Sequence, residues 1–221
     1  MRHTRQYYLR RLHRYMGVTI GIQFLLWTVG GLYFSWSDMD EIHGDYQRRP
    51  APLLVPDTAG WVSPSVVVQN LRAAGESPDS ILSLRLVPVL DAVCWQVVFF
   101  EKNARHRHPR KVRLADAKTG ALRRALSKEE AVEVAARQFN GTPTLLSAVY
   151  LDEMPPDHEY RENALPAWAV TFEHSSKTVV YVAAELGTVE KFRNEKWRWF
   201  DWLWMLHVMD YESRDHIGNW L

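Results

Sequence analysis

The chain has 221 residues, of which 47% are hydrophobic and 24% charged, and its formal net charge is +1. So even a balance excludes a nucleic-acid-binding surface as its organising feature. One cysteine, Cys94, excludes an internal disulfide framework, and the length leaves room for one domain, or two small ones, outside any membrane segment.

The first predicted element is Tyr15 to Ser37, YMGVTIGIQFLLWTVGGLYFSWS, where only Gln23, Thr19, Thr28 and a few serines interrupt the apolar run. As one helix it spans roughly 30 Å, the thickness of a bilayer's hydrocarbon core. A core helix would show a polar face, and this run shows none. A signal peptide has a shorter apolar region and a small-residue cleavage site, whereas this run ends in Tyr33-Phe34-Ser35-Trp36. The expectation is a retained transmembrane helix over 15–37.

Arg2, Arg5, Arg10, Arg11 and Arg14 precede the run, and Asp38, Asp40 and Glu41 follow it. Basic flanks stay inside, so residues 1–14 read as a cytoplasmic basic arm. The main domain is then periplasmic, on a single-pass protein of a bacterial inner membrane. Gly17, Gly21, Phe24, Thr28, Gly31 and Ser35 recur at three- and four-residue steps and share one face. Gly17-x-x-x-Gly21 is the spacing that lets two helix backbones approach in lipid, so integral membrane protein subunits are the expected partners of this seam.

Residues 38–60, acidic and then rich in proline, read as an irregular tether. Two similar units follow, over 61–125 and 126–195. In the first, Ser63-Pro64 starts a helix with Val66, Val67, Asn70, Leu71 and Ala74 on one face, and Gly75 ends it. Strands are predicted over Ile81–Pro88, Val93–Phe100 and Val112–Leu122, the last turning at Lys118-Thr119-Gly120. In the second unit, Ser127 and Glu130 form a capping box, Ala131, Val134, Ala135 and Phe139 form the apolar face, and strands are predicted over Leu145–Leu151, Ala167–Phe172 and Val179–Phe192. Trp95-Gln-Val-Val-Phe99 matches Trp168-Ala-Val-Thr-Phe172, and the glycine turns at Gly120 and Gly187 match as well. The fold class is therefore α+β: one N-terminal transmembrane helix, then a duplicated module of a helix and an antiparallel three-stranded sheet.

The helix, the tryptophan-bearing strand and the strand ending in a glycine turn resemble the PepSY module. Arg10-Arg11-Leu12-His13-Arg14-Tyr15-x-Gly17 before a span resembles the PepSY-associated transmembrane family, as does Trp197-Arg-Trp-Phe-Asp-Trp-Leu-Trp-Met-Leu-His-Val-Met-Asp-Tyr211 near the end. The resemblance implies a membrane-anchored periplasmic module. Some members of that family are similar to haem-bearing siderophore-iron reductases, and PepSY modules elsewhere act as inhibitory or accessory domains. Family members generally continue into further spans, whereas this sequence stops at Leu221.

Residues 196–221 are the second informative stretch. Trp197, Trp199, Trp202 and Trp204 crowd an apolar run too short to cross a bilayer, so the segment reads as an amphipathic helix in the headgroup layer, with Trp36 as the matching anchor on the first helix. A core helix of the outer domain and a docking helix for a partner's membrane segments are the alternatives. His13 and His207 are the histidines to test as haem ligands, haem b being the alternative cofactor to none at all. Placed at opposite boundaries, they cannot share an iron, and each would need a second histidine from another helix.

His106-Arg107-His108 offers metal-like spacing, but Arg105, Arg107, Arg110 and Lys111 would repel a cation. Asp152-Glu153…Asp157-His158-Glu159 is an acidic loop, and no metal site is expected. Phosphate-loop, dinucleotide, zinc-protease, serine-hydrolase and CxxC motifs are missing from the sequence. The functional expectation is thus a non-catalytic accessory subunit of a larger membrane complex, redox or energy-converting, with no small-molecule substrate. A haem-binding electron-transfer component of a siderophore-iron reductase and a periplasmic protease-regulating module are the alternatives.

Overall fold

A computed structural model describes residues 5–50, 52–55, 60–101, 110–155, 157–161 and 163–208. Helix α1, Arg5–Trp36, continues without a break for 32 residues, about 48 Å at the usual rise. Its hydroxyls bond back onto its own carbonyls: Thr19 Oγ1 to Tyr15 O at 3.0 Å, Thr28 Oγ1 to Phe24 O at 2.9 Å and Ser35 Oγ to Gly31 O at 2.9 Å. Each of these three hydroxyls is thereby satisfied without leaving the helix. The helix is long and apolar enough to cross a membrane, and only 6% of its apolar window is buried, unlike a core helix. A signal sequence meets the same criteria of length and composition.

Residues 38–49 depart from the expected tether. Asp38 caps a short helix α2, Met39–His43, and Gly44 leaves it with φ of +76° into a 3-10 turn over Asp45–Gln47. A Cβ at Gly44 would stand 3.2 Å from that of Phe192, so glycine here serves both the left-handed backbone and the close approach. Ile42 and Gln47 are buried. Gln47 donates from Nε2 to Ser176 Oγ at 2.7 Å and accepts from Thr178 Oγ1 at 2.6 Å, while Asn140 N–H donates to Gln47 O. Polar side chains in the sequence suggested a solvated linker; their partners lie more than 90 positions away, where local reading does not reach.

The remainder is two antiparallel four-stranded meanders, each with a covering helix. The first has α3, Pro64–Ala73, with β1 Pro78–Val89, β2 Ala92–Glu101, β3 Arg110–Asp116 and β4 Leu122–Arg123 in the order β1-β2-β3-β4. The second has α4, Lys128–Gln138, with β5 Leu145–Leu151, β6 Ala167–Phe172, β7 Val179–Ala183 and β8 Thr188–Arg193 in the same order. Three strands per module were expected; the last predicted strand of each in fact folds on itself. Gly120 (φ +73°) and Gly187 (φ +71°) close the two tight turns, with N–H bonds to Asp116 O and Ala183 O. A left-handed residue inside a β-rich run breaks it into a hairpin.

The duplication extends to individual hydrogen bonds. Trp95 Nε1 donates to Val62 O at 3.2 Å, and Trp168 Nε1 to Leu126 O at 3.0 Å. Each acceptor directly precedes the serine that caps the module's helix, Ser63 or Ser127. The same two residues donate N–H to Ala117 O and Ala184 O. One indole per module thus sets where the helix enters over its sheet.

The modules stack unequally. β2 is buried on both faces: Val97 and Phe99 pack under Val67 and Leu71 of α3, while Cys94 and its same-face neighbours turn to the second module. There Val87, Val89, Cys94 and Leu114 join Ala131, Val134, Ala135 and Phe139 of α4, with Val170, Phe172, Val180, Val182 and Phe192, in one core. Fully buried Gln96 donates Nε2 to Leu186 O at 3.1 Å, pinning the β7–β8 turn to the first sheet. A Cβ on Gly187 would lie 2.9 Å from Val89 Cγ2 and 3.0 Å from Leu114 Cδ1.

Two outcomes follow for stability. Gly187→Ala adds a steric clash to a backbone cost and should destabilise by about 3 kcal/mol, whereas Gly75→Ala, with open space around it, should cost only about 1 kcal/mol; urea titration of the two variants compares them. Glu76 sits 3.1 Å from Lys111 Nζ and 2.7 Å from Arg113 Nη2. Burial pushes its carboxyl up, but the two cations outweigh this and hold it below 4.5. Such a group stabilises the fold above that value, and the contribution is lost as pH falls through the lowered one. Glu76→Gln should therefore lower the unfolding midpoint at neutral pH and make no difference in strong acid.

Candidate functional site

Helix α5, Glu195–Val208, leaves the second module directly after β8. Buried Asn194 caps it: Trp197 N–H donates to Asn194 Oδ1 at 2.7 Å, and Asn194 Nδ2 donates to Glu41 O at 2.8 Å. One side chain therefore starts α5 and holds the segment that follows α1.

From there α5 runs back along α1. Phe200 meets Phe34 with ring centroids 4.8 Å apart, Trp204 meets Phe34 at 5.7 Å, and His207 meets Phe34 at 5.5 Å and Trp27 at 5.9 Å. Deepest along the pair, Gln23 Nε2 donates to Leu206 O at 3.2 Å. Gln23, Trp27, Gly30 and Phe34 recur at three- and four-residue steps and form the docking stripe. Gly30 is the buried residue of α1, and a Cβ on it would touch His207 Nδ1 and Phe34 Cε2 at 3.8 Å. His207 Nδ1 is buried and has no hydrogen-bond partner among the described residues.

The expected residues fall in three places. Gly17, Gly21 and Gly31 have open space where a Cβ would stand, and Phe24, Thr28 and Ser35 are exposed. The α5 contact leaves this seam uncovered, because it lies roughly 110° around the helix, at 100° per residue, from the Gln23–Phe34 stripe. Trp36, Trp199 and Trp202 are exposed, the last two edge to face at 5.9 Å, and Trp204 is half-buried against α1. Trp197 departs from the interface position expected for it. It is buried under the Arg193 guanidinium, 4.0 Å from its ring centroid, a cation–π contact of the domain. An amphipathic helix in the headgroup layer was expected; in the structure α5 lies along α1. His13 is exposed and lies 17 positions before Gly30, about 26 Å along the helix, so it cannot meet His207.

A polar collar joins the base of α5 to the loop before β6. Arg198 donates to Glu159 through Nε at 2.7 Å and Nη2 at 3.0 Å, Tyr181 Oη donates to Glu159 Oε1 at 2.7 Å, and Arg161 pairs with buried Asp201 at 3.0 Å. Burial lowers Arg193 to about 10 and, with the Glu159 charge, pushes the Tyr181 phenol up. Asp157, His158 and Glu159 belong to the expected acidic loop, and Glu159 within it is a hub. Sequence reading also missed Gln23, Gly30 and Asn194. Of these only Gln23 carried a signal, as the amide of an apolar run.

Among the described residues no three His, Cys, Asp or Glu side chains converge as a metal site. His106 and His108, like residues 209–221, lie outside the described residues. No known family model, curated protein or solved structure matches the chain.

Gly30→Leu should push α5 off α1 and speed amide exchange over residues 200–208 in detergent by more than about tenfold. Gly31→Leu, one residue away on open surface, should leave that exchange unchanged.

Proposed function

We propose that this chain is a membrane-anchored PepSY-domain subunit of a bacterial inner membrane, N-terminus inside and main domain in the periplasm. Its role is accessory and non-catalytic. It binds a larger membrane complex, redox or energy-converting, through α1. The observation that carries this reading is the division of α1 into faces. α5 takes the Gln23–Phe34 stripe, while Gly17, Gly21, Phe24, Thr28, Gly31 and Ser35 stay open. Large apolar side chains (Val18, Ile22, Leu25, Val29 and Leu32) make up a third, exposed face suited to lipid. A small-residue face is where a further helix packs in a bilayer. Arginines ahead of the apolar run, four of them within the first turns of α1, and acids after the helix support the orientation.

The test is capture of the native complex in mild detergent. Gly17→Leu with Gly21→Leu should abolish co-purification of integral membrane subunits and leave the thermal unfolding of the outer domain unchanged. Retention of the same subunits would overturn the reading.

A second reading, electron transfer through haem, is favoured by His207, held in an aromatic cluster with one ring nitrogen unpartnered. The described residues do not fit a site with two histidines within one chain, so another helix would have to supply the second. A Soret band in purified protein that vanishes in His207→Ala would establish this reading at the expense of the accessory one, and a band that vanishes in His13→Ala would do so at the other histidine.

A further inference from the structure

We infer that β5 is the strand through which two copies of this chain pair, antiparallel and edge to edge. Among the described residues β5 has a neighbour on one side only. Its sequence, Leu-Leu-Ser-Ala-Val-Tyr-Leu over 145–151, contains no charge, no proline and no glycine. Side chains on both of its faces reach solvent: Leu146 is 68% and Val149 54% exposed, and Leu145 and Tyr150 are exposed as well, while Ala148 and Leu151 are half-buried against the domain.

The other sheet edges are protected. β1 carries Asp79 and Arg85 and begins and nearly ends in proline, at Pro78 and Pro88. β4 is two residues long. On β8, Arg48 Nη2 reaches Val189 O, and Gly44 packs on Phe192. Charges, prolines, shortness and covering segments are how proteins keep strand edges from pairing, and among the described residues none of these guards β5. Its one irregularity against β6 lies between Leu145 and Ser147, leaving Ser147–Leu151 in regular register.

The strand fits itself. In a two-fold pair each position meets its counterpart in reverse order, so with Ala148 on the axis Leu145 meets Leu151, Leu146 meets Tyr150 and Ser147 meets Val149. No pair brings like charges together, and each matches apolar or small side chains. Tyr150 is already held edge to face against Trp168, with centroids 4.9 Å apart, so its ring is fixed where Leu146 of the second copy arrives. A strand from an unlike partner would be selected by charge or by side-chain pockets, and β5 presents neither. Seven residue pairs bury less than the roughly 1,200 Å² usual for stable complexes in solution. Pairing therefore draws on copies being confined to one layer, and in this respect it rests on the anchor proposed above.

The experiment uses the full chain in native membranes, where every copy is inserted the same way. In a Cys94→Ala background, Ala148→Cys would place two thiols across the axis, within the roughly 4.5–5.5 Å Cβ separation of directly opposed residues. Mild oxidation should give a covalent homodimer at least about tenfold more abundant than Ser83→Cys, in the middle of the β1 edge. Adding Val149→Lys, on exposed surface, should cut the yield at least about fivefold through like-charge repulsion without shifting thermal unfolding. A yield no higher than the Ser83→Cys control, a cross-link to a different protein, or indifference to Val149→Lys would each overturn the inference. The same cross-link in concentrated detergent would support the pairing even if the chain failed to fractionate with membranes, so the two proposals fail separately.

Discussion

Asn194 sets a constraint on which the rest of the molecule depends. Its carboxamide oxygen caps α5, and its nitrogen holds the carbonyl of Glu41, two residues past the start of α2. The chain leaves α1 and returns toward it from the same corner of the second module. Two helices tethered at one point start beside each other, and the packing of Phe34, Phe200, Trp204 and His207 between them keeps them aligned. Without that shared anchorage, nothing local would aim α5 along α1 instead of away from it.

The two modules share a plan and occupy different positions. Each has a serine-capped helix, an indole reaching the carbonyl ahead of the cap, and a left-handed glycine closing its last hairpin. In the first module the sheet is covered on one face by α3 and on the other by its neighbour. In the second, the face away from α4 is closed by Tyr160 stacked on Tyr181 at 4.6 Å and by the collar around Glu159. That face also receives α5, so polar groups concentrate there. Arg161, Arg193 and Arg198 find Asp201, Glu159 and the Trp197 ring, because buried guanidinium groups need partners.

Along α1, residue size follows surroundings. Gly30 leaves room for the His207 ring close to the backbone, and the amide of Gln23 meets the carbonyl of Leu206 in a half-buried bond. A quarter-turn or so around the helix, small residues continue with none of the described residues against their glycines, and beyond these come branched and long apolar side chains. One helix thus carries a face used within the chain, an open face of mostly small residues and an exposed face of large apolar side chains.

Features set by contacts within a few residues were legible in the sequence. The long apolar helix, the caps at Ser63 and Ser127, the Ala131–Phe139 face and the repeat itself depend on periodicity and on hydrogen bonds spanning three or four positions. The exposed small-residue face of α1 was legible for the same reason, being a matter of helical spacing alone. The place of the tryptophans and the fate of residues 38–49 were not. Trp197, Trp199 and Trp204 are equally apolar and lie within eight residues, yet one lies under Arg193, one is exposed and one packs on Phe34. Helical spacing turns Trp199 away from the other two, and only the direction in which α5 leaves the domain separates Trp197 from Trp204. That direction is decided by Asn194 and Glu41, whose bond joins positions 153 residues apart, a distance over which no periodicity carries information.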